Sequence, residues 1–86
     1  MPPEELLRYL QRRPFESFRI HLTDGTAYEV RHPEMVLPAL LTAEIGLPQN
    51  PAVPIAARIV TVSLAHIVRL EPLAAAVSAR GNGAES

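Results

Sequence analysis

The stretch Phe18–His32, FRIHLTDGTAYEVRH, decides the fold. Two alternating segments surround Asp24-Gly25, a dipeptide whose conformational freedom suits a tight hairpin turn. In the first segment Phe18, Ile20 and Leu22 share one face, and Arg19, His21 and Thr23 share the other. In the second, Tyr28 and Val30 are apolar and Glu29 and Arg31 lie opposite. A two-residue turn at Asp24-Gly25 would set Ile20 against Glu29 and place a charge on the apolar side. A three-residue loop, Thr23-Asp24-Gly25, sets Ile20 against Tyr28 and Phe18 against Val30 and keeps the apolar faces together. That register is a type I turn followed by a bulge, with Gly25 in the left-handed conformation. The bulge adds twist and favours a curved sheet.

Upstream, Leu6, Leu7 and Leu10 recur at helical spacings. Pro2 and Pro3 suit the first helical positions, where a missing N–H costs little. Glu4 and Glu5 then meet the positive end of the helix dipole, and Arg8, Arg12 and Arg13 its negative end. Pro14 disfavours helical geometry in the residue before it, so the pattern predicts a helix from about Pro3 to Arg12. Such a helix is too short to stand alone and must pack on something.

Downstream, His32-Pro33 ends or bends the second strand, because proline donates nothing to a ladder. Met35, Val36 and Leu37 restart a strand, and Pro38 places it on an edge or a bulge. Thr42–Leu47 reads as a short strand, although Ala43 and Glu44 with the preceding Ala39, Leu40 and Leu41 would equally suit a helical turn. Pro48–Pro54, PQNPAVP, is a loop. Arg58–Leu64 is the best strand of the chain, and a break at Ala65-His66 separates it from a last strand, Ile67–Glu71, that Pro72 ends. One domain over residues 1–73 follows, with a small, polar segment from Ala74 to Ser86 expected to be a mobile tail. The expected fold is α+β and mostly β: an N-terminal helix on a five-stranded, strongly bent antiparallel sheet or small barrel. The expected core is Leu6, Leu10, Phe18, Ile20, Leu22, Tyr28, Val30, Val36, Val60, Val62, Leu64, Ile67 and Leu70.

Composition bounds the function. The chain of 86 residues is 48% hydrophobic but has two Phe, two Tyr and no Trp, so aliphatic residues must build its core. Without cysteine, neither a disulfide nor a thiolate-bound metal can staple so small a domain, and association with copies of itself is the remaining source of stability. A formal net charge of -1 argues against wholesale coating of nucleic acid, which needs a basic field. All eight basic residues are Arg, whose planar fork suits carboxylates and phosphates. No apolar run approaches the roughly 20 residues that span a bilayer. The start carries Glu4 and Glu5 where a signal peptide would be basic, so the expected location is the cytoplasm, with no membrane partner.

Candidate contacts with RNA or a protein partner are Arg8, Arg12, Arg13, Arg31, His32 and His66. Arg31-His32-Pro33-Glu34 concentrates polar groups beside a bend, where Arg31 could meet a phosphate and His32 stack on a base. The bland alternative is a surface pair of Arg31 with Glu29 or Glu34, worth less than about 1 kcal/mol. Arg8, Arg12 and Arg13 make a basic helix end with Phe15 close behind, equally explained by dipole complementarity. His21, His32 and His66 with Asp24, Glu29 or Glu34 could in principle hold a metal, but no two histidines have ligand spacing on one element, and no metal or other cofactor is expected. Ser63, His66 and Glu71 mimic a nucleophile set without the Gly-rich elbow, and no catalytic residue is assigned.

The helix Glu4–Arg12 followed at once by Phe18–Thr23, the hairpin IHLTDGTAYEV (Ile20–Val30) and the ending TVSLAHIVRLEP (Thr61–Pro72) together resemble the layout of Sm and Hfq-like proteins. The resemblance covers about residues 4 to 72 and implies an Sm/SH3-like small barrel that forms rings through edge strands. The Tyr-Lys-His signature of Hfq is replaced by Ser63, Leu64 and Ala65, and the Arg-Gly pair of Sm proteins is absent, so no uridine pocket is carried over. The chain also resembles small uncharacterised bacterial proteins with the pattern RPFxxFRIHLxDG...HIVRLEP, which implies no activity. The expected function is therefore a non-catalytic assembly or protein-interaction module, a homo-oligomer through strand edges with a possible protein partner by strand addition. The alternative is an Hfq/Sm-like RNA-binding ring.

Overall fold

The structure is a computed structural model that describes residues 1–73. The tail expected from Ala74 onward lies outside the described residues. The fold is α+β and mostly strands. Helix α1 (Pro3–Leu10) precedes a hairpin of β1 (Phe18–Leu22) and β2 (Ala27–Val30). A 3-10 turn, Pro33–Met35, leads to β3 (Val36–Pro38), β4 (Thr42–Pro48) and β5 (Ala56–Ser63). A second 3-10 turn, Leu64–His66, leads to β6 (Ile67–Pro72). The strands form two antiparallel sheets, in the orders β2-β1-β6 and β3-β4-β5. The expected single five-stranded sheet is thus corrected to two sheets of three strands, which do not close into a barrel.

The first hairpin has the register that the apolar parity requires. Phe18 pairs with Val30 and Ile20 with Tyr28. Gly25 sits at φ 88° and donates its N–H to Leu22 O at 3.1 Å, which closes the type I turn. Asp24 Oδ1 accepts the N–H of Thr26 at 2.9 Å, and this bond holds the Asp24 carboxyl below its usual range.

Why the sheet divides is visible at the Leu64–His66 turn. The residues of β5 pair with β4, from Thr42↔Ser63 to Leu47↔Arg58, whereas β6 pairs with β1, from Phe18↔Pro72 to Leu22↔Ile67. The turn redirects the chain from one sheet to the other and is held on three sides. Its Leu64 N–H donates to Leu41 O at 3.0 Å, its His66 carbonyl accepts from Thr23 N–H at 2.9 Å, and the amino terminus of Met1 donates to Leu64 O at 3.0 Å. Ser63 Oγ accepts from Ala65 N–H at its start.

One core lies between the sheets and under the helix. Leu6 and Leu10 of α1, Phe18, Ile20, Val30 and Ile67 of the first sheet, and Val36, Ala43, Ile45 and Val62 of the second are buried, with Leu64 from the turn between sheets. Tyr9 and Phe15 meet Phe18 edge-on, at 5.2 and 6.1 Å between ring centroids. Four expected core members, Leu22, Tyr28, Val60 and Leu70, are only partly buried and line the rim. Ala43 and Ile45, absent from the expected core, are fully buried because β4 is the centre of its sheet. Leu7 is on the exposed side of α1, which ends at Leu10 rather than Arg12. Met35 belongs to a 3-10 turn instead of a strand, and this turn lies against Gly46, where a Cβ would stand 3.0 Å from Met35 Cε. Pro38 ends an edge strand, as its missing N–H demands.

Candidate functional site

The polar side of the β2-β1-β6 sheet gathers the largest group of interacting charges among the described residues. Strand parity builds it. Arg19 and His21 lie outward on β1 because Phe18 and Ile20 lie inward. The register then sets Arg19 between Glu29 on one side and Glu71 on the other, and His21 between Ala27 and Arg69. Arg19 Nη2 is 2.9 Å from Glu29 Oε2, and Arg19 Nη1 is 3.5 Å from Glu71 Oε1. His21 Nε2 reaches the same Glu71 oxygen at 2.9 Å, and Arg31 Nη2 reaches Glu29 Oε1 at 2.8 Å.

The electrostatics follow from these contacts. The Glu71 carboxyl is held below its usual range, first by the hydrogen bond from His21 and then by the positive charges of Arg69 and Arg19. Glu29 is lowered in the same direction, mainly by the hydrogen bond from Arg19 and further by Arg31. Both carboxylates therefore stay ionised: Glu29 accepts from Arg19 and Arg31, and Glu71 is hydrogen-bonded to His21 and ion-paired with Arg19. The network is a solvated lattice of pairs rather than a pocket, and among the described residues no hydroxyl or thiol nucleophile belongs to it.

The candidate residues read from the sequence do not converge. Arg31 joins the lattice through Glu29, the bland surface pair. Arg8 pairs with Glu5 and Arg12 with Glu16, each at 3.5 Å, along the helix and its exit. The Arg12 guanidinium also lies 4.2 Å from the Tyr9 ring centroid. Arg13 turns back onto the carbonyls of Leu10 and Arg12, at 3.1 and 2.6 Å, and so covers the end of α1. His32 contacts Pro51 O at 2.9 Å and ties the β2 exit to the proline-rich loop. His66 is exposed in the turn between β5 and β6, far along the chain from His32 and on another element. Among the described residues, no three His, Asp or Glu side chains stand together as a metal site would require. Phe15, set beside the arginines in sequence, packs on Phe18 instead of offering a base a stacking face.

Sequence reasoning missed the partnership of His21 with Glu71, 50 positions apart. The available signal was the alternation in β6: Leu70 faces inward opposite Ile20, so Arg69 and Glu71 must face outward beside His21 and Arg19.

An open groove of about 290 Å³ lies at the other sheet, lined by Gln49, Asn50, Val53, Ile55, Ala56 and Ala57. Among the described residues, none of those that line it is titratable. Among the described residues, no helix is long and apolar enough to cross a membrane. No family model, curated protein or solved structure matches the chain.

Proposed function

We propose that the protein is a non-catalytic β module that assembles with copies of itself, and takes protein partners, through unpaired strand edges. The observation that carries this reading is the open architecture. Two three-stranded sheets leave four strands, β2, β6, β3 and β5, each bonded on one side only among the described residues. Closure would have removed those edges, and an unpaired ladder of N–H and C=O groups is a template for another strand. The small core and the lack of cysteine add a reason for assembly, since the domain has few other sources of stability. The non-catalytic part rests on the groove without titratable groups and on the lattice whose carboxylates are already engaged.

The N-terminal helix, the Asp-Gly hairpin and the tight turn between the last two strands support an Sm/SH3-like reading of this layout. On this reading the module works in the cytoplasm. An Hfq/Sm-like RNA-binding ring draws less support, because Arg8, Arg12, Arg13, Arg19 and Arg31 are each held by a carboxylate or a carbonyl. Sedimentation of the wild-type chain over a concentration series tests the assembly reading. The expected result is an oligomer at tens of micromolar. A monomer throughout that range refutes it.

A further inference from the structure

The geometry points to β5 as the edge that assembles, pairing antiparallel with β5 of a second copy about a two-fold axis at Val60. This rests on the assembly reading above and adds the edge, the register and the symmetry. The choice comes from comparing the four edges of the described residues. Edge β2 is four residues long, carries Glu29, and is followed by His32-Pro33. Edge β3 is three residues long and ends in Pro38. Edge β6 has a register shift opposite His21/Leu22, carries Arg69 and Glu71, and ends in Pro72. Short length, charge, bulges and proline are the devices by which edges are kept from pairing. Edge β5 has the length without the devices. It runs for eight residues, AARIVTVS, with no proline and one charge, Arg58. Its single register shift, at Leu47/Pro48, lies at its very start. Ile59 on its outward side is 64% exposed, and Ile55 just before it is 71% exposed.

Charge sets the register. In an isologous antiparallel pair, residue i meets residue 2k−i around a centre k, and parity keeps both side chains on one face. A centre at Arg58 puts the two guanidinium groups directly opposite each other. A centre at Ile59 puts them on a diagonal, about 7–8 Å apart between backbones. A centre at Val60 sets them four positions apart along the strand, about 14 Å, beyond the screening length of about 8 Å at physiological ionic strength. It keeps Ala57–Ser63 paired, whereas a centre at Thr61 shortens the overlap to Ile59–Ser63. With Val60 at the centre, Ile59 meets Thr61 of the second copy, and Val60 meets itself. These are β-branched pairs of the kind that stabilise antiparallel sheets. The product is a continuous six-stranded sheet, β3-β4-β5 joined to its two-fold mate.

The chain has no cysteine, so a single introduced one reports without background. Opposed residues in an antiparallel pair have Cα atoms about 4.5–5.5 Å apart, within disulfide range. Under mild oxidation, Val60→Cys should form a covalent dimer, while Ala57→Cys, about 20 Å from its own copy in this register, should not. Ile59→Lys, a charge on an exposed position, should convert the sedimenting dimer to a monomer while keeping the wild-type circular dichroism. A dimer with the Val60 cross-link supports the inference. An oligomer without that cross-link, or one unaffected by Ile59→Lys, overturns the β5 two-fold and leaves the assembly reading intact. A monomer throughout the concentration series overturns both the β5 two-fold and self-assembly.

Discussion

Gly25 permits a sharp test of the hairpin, because its cost can be separated into parts. Its φ of 88° lies where a β-carbon clashes with its own backbone. A Cβ built there meets nothing within 4 Å among the described residues, so none of them adds a steric term. The penalty for alanine is then about 1–2 kcal/mol of backbone strain, offset by roughly 0.4–1 kcal/mol from the restricted unfolded chain. Valine adds its own branch, and a strained non-glycine residue costs up to about 3 kcal/mol. For a domain of this size, each kcal/mol moves Tm by roughly 4–8 °C. Gly25→Val should therefore lower Tm by about 8–16 °C, taking a net loss near 2 kcal/mol. Gly25→Ala should fall in between, and Gly25→Asn should lie nearest the wild type, because asparagine tolerates this region. Ala27→Thr, two residues on at an exposed strand position, should change Tm little. Thermal melts by circular dichroism read the series. Equal and small shifts for Gly25→Val and Ala27→Thr would refute the three-residue loop and with it the pairing of Phe18 with Val30.

Further expectations concern the core, the charged face and RNA. Ile45→Ala should cost about 2–5 kcal/mol in chemical denaturation, because Ile45 is fully buried, whereas Leu37→Ala on the 66% exposed Leu37 should stay within about 0.5 kcal/mol. Gly46→Val should destabilise by about 1–3 kcal/mol, since its added atoms meet Met35 and, at 3.3 Å, the Cβ of Ala56 on the neighbouring strand; Gly46→Val should recover part of that loss in a Met35→Ala background. Glu29 and Glu71 have lowered folded-state values, so their contribution is present above the ordinary carboxylate range and is lost as pH falls through the lower folded values. Tm should drop as pH falls from about 5 to 3, and Arg19→Gln should flatten that drop by removing a positive charge that pairs with both carboxylates. Fluorescence titration with uridine-rich and adenosine-rich oligomers should give weak, salt-sensitive binding with no preference; submicromolar, sequence-selective binding at near-physiological salt would promote the RNA-binding ring over the assembly module.

What the chain determines by itself is what short-range chemistry controls. The first hairpin follows from parity and from one residue able to adopt a positive φ, both contained within Phe18–Val30. The start of α1 follows from its prolines and acids, and the edge position of β3 from Pro38. Tertiary structure decided the rest. Thr42–Leu47 is locally as suited to a helical turn as to a strand, and it is a strand because β3 and β5 bond to both its sides, which buries Ala43 and Ile45. The division into two sheets was illegible for a similar reason. Local patterning shows a break at Ala65-His66, but where the chain goes after it depends on Leu41, Thr23 and the amino terminus, three distant segments that hold the turn. The charged lattice needs β1 beside β6, a pairing across some 50 positions, so His21 and Glu71 look like isolated residues until the long loop between them closes. Loop closure and pairing partners are global quantities, whereas alternation and turn chemistry are local, and a linear reading has access to the second kind alone.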